Sequence, residues 1–249
     1  MVEPRLDGSA VLITGATRGI GLALSEHLSA RGSLVIVNSR SEEDCNALAS
    51  RLGGLSIAFD VTDEVEIKRA FHELNGLLKK RENHLYGLAH CAGSMLTSPF
   101  HFTQLSGLQQ MVNEHITGAF MVTQWSSKLM MRQKRGAITL LSSVVAQQGS
   151  TGQVAYTAAK AAVEGMTKSL AKELGQFGIR VNAVAPGVID TSLIKELTVA
   201  QREEIQRATV LKRLGNPDDV AAALAFFLSN DSGFITGQIL GVDGGLKLP

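Results

Sequence analysis

Short, uniformly apolar segments alternate with longer amphipathic segments along almost the whole chain. Uniformly apolar strands are typical of a sheet that is covered on both faces. Strands that alternate with helices predict an α/β fold, in which right-handed crossovers connect the strands of a parallel sheet. The predicted strands are Ala10–Thr14, Leu34–Asn38, Leu55–Phe59, Leu85–Ala89, Ala137–Leu141, Arg180–Ala185 and Gln238–Val242, and the predicted helices include Ile20–Ala30, Glu43–Leu52, Val65–Lys79, Tyr156–Leu174 and Asp218–Leu228.

The composition narrows the class of protein. A chain of 249 residues with 45% hydrophobic residues and no proline-rich linker is expected to form a single domain, residues 1–249. Because 24 basic residues balance 23 acidic ones, nothing indicates a nucleic-acid partner. No apolar run reaches the length of a membrane span. The two cysteines cannot form a disulfide framework, so we expect a reducing compartment, the cytoplasm or the mitochondrial matrix.

A glycine-rich loop, TGATRGIG (residues 14–21), follows the first predicted strand and leads into a helix. Its three glycines permit a tight turn, a close approach of the backbone to phosphate, and packing of the helix on the sheet. The N–H groups at the start of the helix would attract a pyrophosphate. Such glycines can merely form a turn, but their position inside a strand–helix–strand unit favours dinucleotide binding. The candidate cofactor-binding residues of the loop are Gly15, Thr17, Arg18, Gly19, Ile20 and Gly21.

The ends of the second and third strands suggest which dinucleotide binds. Folds that select NAD usually carry an acid after the second strand, whereas this chain has Ser39 and Arg40 there. Two guanidinium groups, of Arg40 and Arg18, suit the 2′-phosphate of NADP(H), although solvated arginines are a common alternative.

Asp60 and Val61 end the third predicted strand. The Asp60 carboxylate could accept a hydrogen bond from the adenine amino group. The alternative is a role in capping the next helix, together with Thr62 or Asp63.

Tyr156 and Lys160 are four residues apart, so a helix places them on one face. A neighbouring ammonium is expected to lower the pKa of the phenol, which could then give a proton to a carbonyl oxygen as hydride arrives at the carbon. This spacing is common by chance. Ser143, at the end of the fifth strand, strengthens the prediction, because its hydroxyl could bind the same oxygen. Ser142 is expected to point to the other face of the strand.

Together, the glycine-rich loop, Ser143 and the Tyr156-x-x-x-Lys160 pair resemble the short-chain dehydrogenase/reductase family. Ala185-Pro186-Gly187 and Asp243-Gly244-Gly245 add to a resemblance that runs from about Ala10 to Leu246. It implies a Rossmann-like, doubly wound parallel sheet of seven strands, hydride transfer with a nicotinamide cofactor and a homotetramer. It also implies that Cys91, Ala92, Gly93, Pro186, Gly187, Ile189 and Thr191 lie along the cofactor, with Ile189 and Thr191 at the carboxamide and Lys160 at the nicotinamide ribose.

Two positions depart from the family pattern. The family ends its fourth strand with Asn-Asn-Ala-Gly or Asn-Ala-Gly, whereas this chain has His90-Cys91-Ala92-Gly93, which puts the hydrogen bonds of the lost asparagine in doubt. The family also carries an asparagine, in a helix before the fifth strand, that binds a water linked to the lysine. His115 stands in its place, and Asn113 is about 200° away around a helix. We predict that His115 replaces the asparagine in the proton relay; a packed or tolerated histidine is the alternative.

Within the family, the C-terminal part is most similar to 3-oxoacyl-(acyl-carrier-protein) reductases. The segment Ser192–Leu214 would then be a lid, and Leu193, Ile194 and Leu197 could touch an acyl chain. The alternatives are a reductase of steroids, quinones, sugars or small carbonyls, and a cofactor-binding but catalytically weak subunit of a hetero-oligomer. No metal site is predicted. Candidate docking residues for an acidic carrier protein are Lys134, Arg135, Lys195, Arg202 and Arg207.

Overall fold

The computed structural model describes residue 6 and residues 8–194 and 198–246. The strands are β1 (Ala10–Thr14), β2 (Leu34–Val37), β3 (Leu55–Ser56), β4 (Leu85–His90), β5 (Gly136–Leu141), β6 (Ile179–Pro186) and β7 (Ile239–Val242). They form one parallel sheet in the order β3-β2-β1-β4-β5-β6-β7. The chain order reverses between β1 and β4, and ligands of open α/β sheets bind at such a switch point.

Helices cover both faces of the sheet, as the doubly wound fold requires. Alternate residues of β1 face opposite layers: Leu12 packs with Phe71 and Val163 on one side, and Ile13 with Leu24 on the other. The helices of the described residues are α1 (Gly19–Ser29), α2 (Glu42–Leu52), α3 (Glu64–Lys80), α4 (Leu105–Val112), α5 (Gly118–Met131), α6 (Val145–Gln148), α7 (Val154–Leu174), α8 (Val199–Ala208) and α9 (Pro217–Leu228).

The predicted α/β fold is confirmed, and most predicted strand ends agree to within one residue. The exception is β3, predicted to reach Phe59 but regular only over Leu55–Ser56. The segment stays attached to β2 nonetheless, because the N–H groups of Ile57 and Phe59 donate to the carbonyls of Val37 and Ser39. The Asn38 side chain adds to this, since its Nδ2 donates to the carbonyls of both Ile57 and Phe59 at 3.1 Å.

Helix ends follow local capping chemistry. Ser41 and Asp63 accept backbone N–H groups at the starts of α2 and α3. Thr198 and Asn216 form capping boxes at the starts of α8 and α9. No helix in the described ranges is long and apolar enough to cross a membrane.

Candidate active site

The glycine-rich loop joins β1 to α1 in the conformation that its glycines allow. Gly15 and Gly19 have φ of +63° and +55°, which other residues rarely adopt. A β-carbon on Gly15 would lie 3.0 Å from the Ala92 Cα atom, and one on Gly21 would collide with the Gly15 carbonyl oxygen. The Arg18 side chain does not cap α1, so the N-terminus of this helix can receive an anion.

The arginines expected at a 2′-phosphate are both exposed. Neither Arg18 nor Arg40 forms an ion pair with another described residue, so both guanidinium groups are available to a ligand. Ser39 is held by Cys45, whose Sγ accepts the Ser39 N–H at 3.0 Å. The described residues thus offer a cradle that fits a dinucleotide phosphate.

Asp60 makes its contacts within its own turn. Its Oδ1 accepts bonds of 2.8 Å from both the N–H and the hydroxyl of Thr62. The cap of α3 is Asp63, as one alternative expected, and Asp60 contributes to the turn before it. The adenine contact of Asp60 therefore stays a prediction, as does that of the buried Val61 next to it.

Ser143, Tyr156 and Lys160 meet at the carboxyl end of β5. Lys160 Nζ donates to the carbonyl of Leu141 at 2.7 Å and lies 5.6 Å from the centre of the Tyr156 ring. The Ser143 hydroxyl is hydrogen-bonded to the Tyr156 phenol. Ser142 points the other way, as predicted, and donates to Glu164 Oε1 at 3.0 Å. The carboxyl ends of the strands are where this fold binds ligands.

Burial sets the protonation of this group and corrects one expectation. It raises the pKa of Tyr156 to about 12, against the smaller effect of the Ser143 hydrogen bond, whereas the sequence predicted a lowered pKa. The prediction was wrong because the spacing of two residues on a helix does not reveal desolvation. Burial also lowers the pKa of Lys160 to about 8. At neutral pH the phenol is protonated and the lysine carries its charge.

His115 lies in a π-helical turn, Asn113–Thr117, between α4 and α5, where the Gly118 N–H bonds to the carbonyl of Asn113. The imidazole is buried, and its edge meets the Tyr156 ring with 5.4 Å between centres. Its Nε2 bonds to the Ser94 carbonyl at 2.8 Å. Burial lowers the pKa of His115 to about 2, and Lys160 adds to the shift, so the ring is neutral. Asn113 is exposed and bonds to Gln109, away from the site.

His90 takes up the hydrogen bond that the missing asparagine put in doubt. The Thr14 hydroxyl accepts the N–H groups of Cys91 and Ala92 at 3.2 Å and lies 3.0 Å from His90 Nδ1. With both N–H groups on its oxygen, Thr14 gives its proton to His90, whose Nε2 must then carry hydrogen. That Nε2 is buried and has no partner among the described residues. Thr14 thus fixes the loop of Cys91, Ala92 and Gly93.

The segment after β6 approaches the glycine-rich loop. A β-carbon on Gly19 would lie 3.5 Å from Thr191 Cγ2, so Thr191 lies directly beside this loop. Pro186 is the last residue of β6, and Gly187 packs so closely on Asp243 that a β-carbon would lie 2.8 Å from its Cα atom. Ile189 is buried against Gly215. The four residues expected along the cofactor, two of them at the nicotinamide carboxamide, therefore stand at this edge of the sheet.

The predicted lid contains a 3₁₀ turn at Ser192–Ile194 and helix α8. Arg202 anchors α8, because it pairs with Asp190 at 3.0 Å and donates to the Ile194 carbonyl. Ile194 itself is buried. The predicted contacts of Lys195 and Leu197 lie outside the described residues, as does the side chain of Leu193.

Of the predicted docking residues, the four that the structure describes, Lys134, Arg135, Arg202 and Arg207, do not form one surface. Lys134 and Arg135 precede β5 and so lie at the opposite end of the sheet from Ser143, which corrects their assignment to the mouth of the site. Arg202 is engaged by Asp190, and Arg207 lies 3.9 Å from Glu203. These side chains give no support to a basic docking patch.

Sequence reasoning missed Glu114 and Ser94: Glu114 accepts the Ser94 N–H, and the Ser94 carbonyl bonds to His115 beside the predicted catalytic group. The only available signal was their position next to residues already singled out. In the part of the chain that the structure describes, no group of three His, Cys, Asp or Glu residues could hold a metal ion.

Comparisons with known proteins agree with this geometry. Residues 15–247 match the family model described as enoyl-(acyl carrier protein) reductase. The 3-oxoacyl-(acyl-carrier-protein) reductases of Aquifex aeolicus and Thermotoga maritima are 35% and 36% identical, over 98% of this chain and 100% of theirs.

Solved structures show the same fold. A gluconate 5-dehydrogenase from Burkholderia cenocepacia in complex with NADP and tartrate has a TM-score of 0.92 at 30% identity, over 98% of this chain and 97% of that one. A 3-oxoacyl-(acyl-carrier protein) reductase from Brucella melitensis has a TM-score of 0.90 at 31% identity, over 99% of this chain and 94% of that one. The chain belongs to the short-chain dehydrogenase/reductase family and is an NAD(P)-dependent oxidoreductase acting on CH–OH and C=O groups.

Proposed function

We propose that this protein uses NADPH to reduce the 3-oxo group of an acyl thioester, on an acyl carrier protein or coenzyme A, to a 3-hydroxyacyl thioester. The observation that carries the proposal is the group formed by Ser143, Tyr156 and Lys160 at the carboxyl end of β5. The similarity to 3-oxoacyl-(acyl-carrier-protein) reductases over the whole length of the chain supports the substrate.

The residues act in sequence on the carbonyl oxygen. When bound, NADPH supplies the hydride that reaches the carbonyl carbon. The Ser143 hydroxyl holds the oxygen, and Tyr156 gives it the phenolic proton, which is present because the pKa of this phenol is about 12. The nearby Lys160 ammonium stabilises the phenolate that remains. The neutral His115 would bind a water through its free ring nitrogen, and a proton from solvent would return through that water toward Lys160 and Tyr156.

The cofactor would lie along the glycine-rich loop. The start of α1 would receive the pyrophosphate, and Arg18, Ser39 and Arg40 the 2′-phosphate. The choice of NADPH over NADH rests on Arg18 and Arg40, which form no ion pair with a described residue, and on the NADP in the related gluconate 5-dehydrogenase.

The remaining proposed cofactor contacts follow from position and from the family. Asp60 and Val61 would face the adenine. Lys160 would hold the nicotinamide ribose. Ile189 and Thr191 would face the carboxamide, and Cys91, Ala92, Gly93, Pro186 and Gly187 would line the cofactor through their backbone.

The test is a spectrophotometric assay of the purified protein with NADPH and acetoacetyl-CoA. We expect NADPH to be consumed, and NADH to be consumed more slowly. The Tyr156→Phe variant is the control for contaminating reductases. Turnover of other ketones without any turnover of acyl thioesters would overturn the proposal, and NADPH binding without turnover would favour a catalytically weak subunit.

A sugar-acid substrate is the second candidate. It is favoured by the structural similarity to gluconate 5-dehydrogenase, with a TM-score of 0.92. Including 5-ketogluconate in the same assay discriminates the two. A homotetramer, and a location in the cytoplasm or mitochondrial matrix, complete the proposal and rest on the family.

A further inference from the structure

Two consecutive side chains of the π-helical turn reach the same residue, Ser94. Glu114 Oε2 accepts the Ser94 N–H at 2.7 Å and the Ser94 hydroxyl at 2.6 Å. His115 Nε2 lies 2.8 Å from the Ser94 carbonyl. The turn thus engages the N–H, the hydroxyl proton and the carbonyl of Ser94, while Gln110 Nε2 on α4 donates to the Ser94 hydroxyl oxygen at 3.3 Å. Ser94 directly follows the Cys91–Gly93 segment, so the turn is clamped to the loop at the end of β4.

The clamp determines the state of the His115 ring. A carbonyl oxygen can only accept, so Nε2 carries the hydrogen and Nδ1 is left as an acceptor. The ring is pressed against the backbone of Gly93, where a β-carbon would lie 2.7 Å from Nδ1. If Ser94 moved, the ring would lose the bond that selects this tautomer.

We propose that Glu114 is a positioning residue that holds Ser94 and thereby fixes the tautomer and the ring plane of His115 beside Tyr156. The role of His115 in proton return, on which this rests, is part of the proposed function. Charge-assisted bonds of this length are the stronger class of hydrogen bond, which suits a clamp. Gln110 supports the carboxylate from the side, since its Nε2 donates to Glu114 Oε1 at 2.9 Å.

Glu114 also carries a negative charge, so its hydrogen bonds to Ser94 must be distinguished from the effect of its charge on Lys160. Its carboxylate favours the ammonium of Lys160. The charged and titratable groups that act on His115 itself are Lys160 on α7 and His90 on β4, while Tyr156 packs against its ring. Glu114→Gln keeps an oxygen that can accept both Ser94 donors but removes the charge. Glu114→Ala removes both.

The first experiment measures the tautomer of His115 by ¹⁵N NMR of histidine-labelled protein, with the resonance assigned by the His115→Asn variant. We expect hydrogen on Nε2 in the wild type and in Glu114→Gln, and a mixture of tautomers in Glu114→Ala. This readout needs no substrate, so it stands even if the proposed activity fails. A wild-type tautomer in Glu114→Ala would overturn the proposal.

The second experiment measures kcat and KM as a function of pH, with whichever carbonyl substrate the wild type reduces. A misplaced relay group should lower kcat by about 10- to 100-fold in Glu114→Ala. The Glu114→Gln variant should keep most of the wild-type kcat. Gln109→Ala, on α4 just before the turn and bonded to the outward-facing Asn113, is the matched control and should behave as the wild type. Equal losses in the Gln and Ala variants would show that the charge matters and the clamp does not.

Discussion

Lys160 Nζ lies 2.7 Å from the carbonyl oxygen of Leu141, the last residue of β5. The bond fixes the ammonium at the carboxyl end of the sheet, although burial lowers the pKa of this lysine from 10.5 to about 8. A buried charge at neutral pH lowers the free energy of unfolding, because the charged group has lost its hydration. Such destabilising groups are found mainly in active sites.

The first prediction is that this loss depends on pH. Between pH 8 and 10.5 the unfolded chain binds more protons at Lys160 than the folded chain, so stability from this residue rises with pH. At about 1.36 kcal/mol per pH unit, the gain approaches about 3 kcal/mol. The Lys160→Met variant has no side chain that titrates in this range. Between pH 7 and pH 10, the free energy of unfolding in urea should therefore rise more for the wild type than for the variant. A difference between the two proteins that does not change with pH would contradict a buried ammonium.

The grouping of Ser143, Tyr156 and Lys160 could be predicted from sequence, but its electrostatics could not. Spacing on a helix placed Tyr156 and Lys160 on one face, and the end of an apolar run placed Ser143 near them. Whether burial or the ammonium dominates the pKa of Tyr156 depends on the atoms packed around the ring. Those atoms come from distant parts of the chain, such as His115.

Two further features, the π-helical turn and the early end of β3, could not be predicted from the sequence. The turn at Asn113–Thr117 differs from an α-helix only in which carbonyl each N–H selects, and no residue pattern signals that choice. After the early end of regular β3, the Asn38 side chain bonds to the carbonyls of Ile57 and Phe59, and no residue pattern signals that contact. The misassignment of Lys134 and Arg135 was avoidable, because residues that precede a parallel strand lie at its amino end.

The second prediction concerns the proton donor. Tyr156→Phe removes the phenolic proton and leaves the ring, so kcat for carbonyl reduction should fall by about 10²- to 10⁴-fold. The glycine-rich loop is untouched, and NADPH should still bind, as fluorescence titration can measure. Retention of the parent rate would rule out Tyr156 as the donor. Ser143→Ala is a matched comparison that removes the neighbouring hydroxyl while keeping the phenol, and kcat should fall less in this variant than in Tyr156→Phe.

The third prediction concerns acid stability. Burial lowers the pKa of His90 from 6.5 to about 3. Between pH 3 and pH 6.5, the imidazole of His90 is therefore protonated in the unfolded chain but neutral in the folded chain. Stability from His90 is therefore lost as pH falls below 6.5, at about 1.36 kcal/mol per pH unit. In His90→Asn, the amide oxygen can still accept the bond from Thr14 but cannot titrate.

Urea unfolding of both proteins at pH 6.5 and pH 5 tests this. The variant should lose less stability than the wild type over the interval. The matched control is His101→Asn, the same substitution at an exposed histidine, which should leave the slope unchanged. Parallel slopes for the wild type and His90→Asn would show that His90 accepts a proton without unfolding.

The fourth prediction concerns the choice of cofactor. Arg40 is exposed directly after β2 and forms no ion pair with a described residue, so its guanidinium is available to a 2′-phosphate. Arg40→Asp would repel that phosphate and offer a carboxylate to the 2′-hydroxyl of NADH. Hydrogen bonds to charged groups contribute about 1.5–3 kcal/mol, so KM for NADPH should rise by about 10- to 100-fold while KM for NADH falls. The matched control is Arg31→Asp, at an exposed arginine whose guanidinium donates to the His27 carbonyl, and it should leave both KM values unchanged. Equal changes with the two cofactors would place the 2′-phosphate elsewhere.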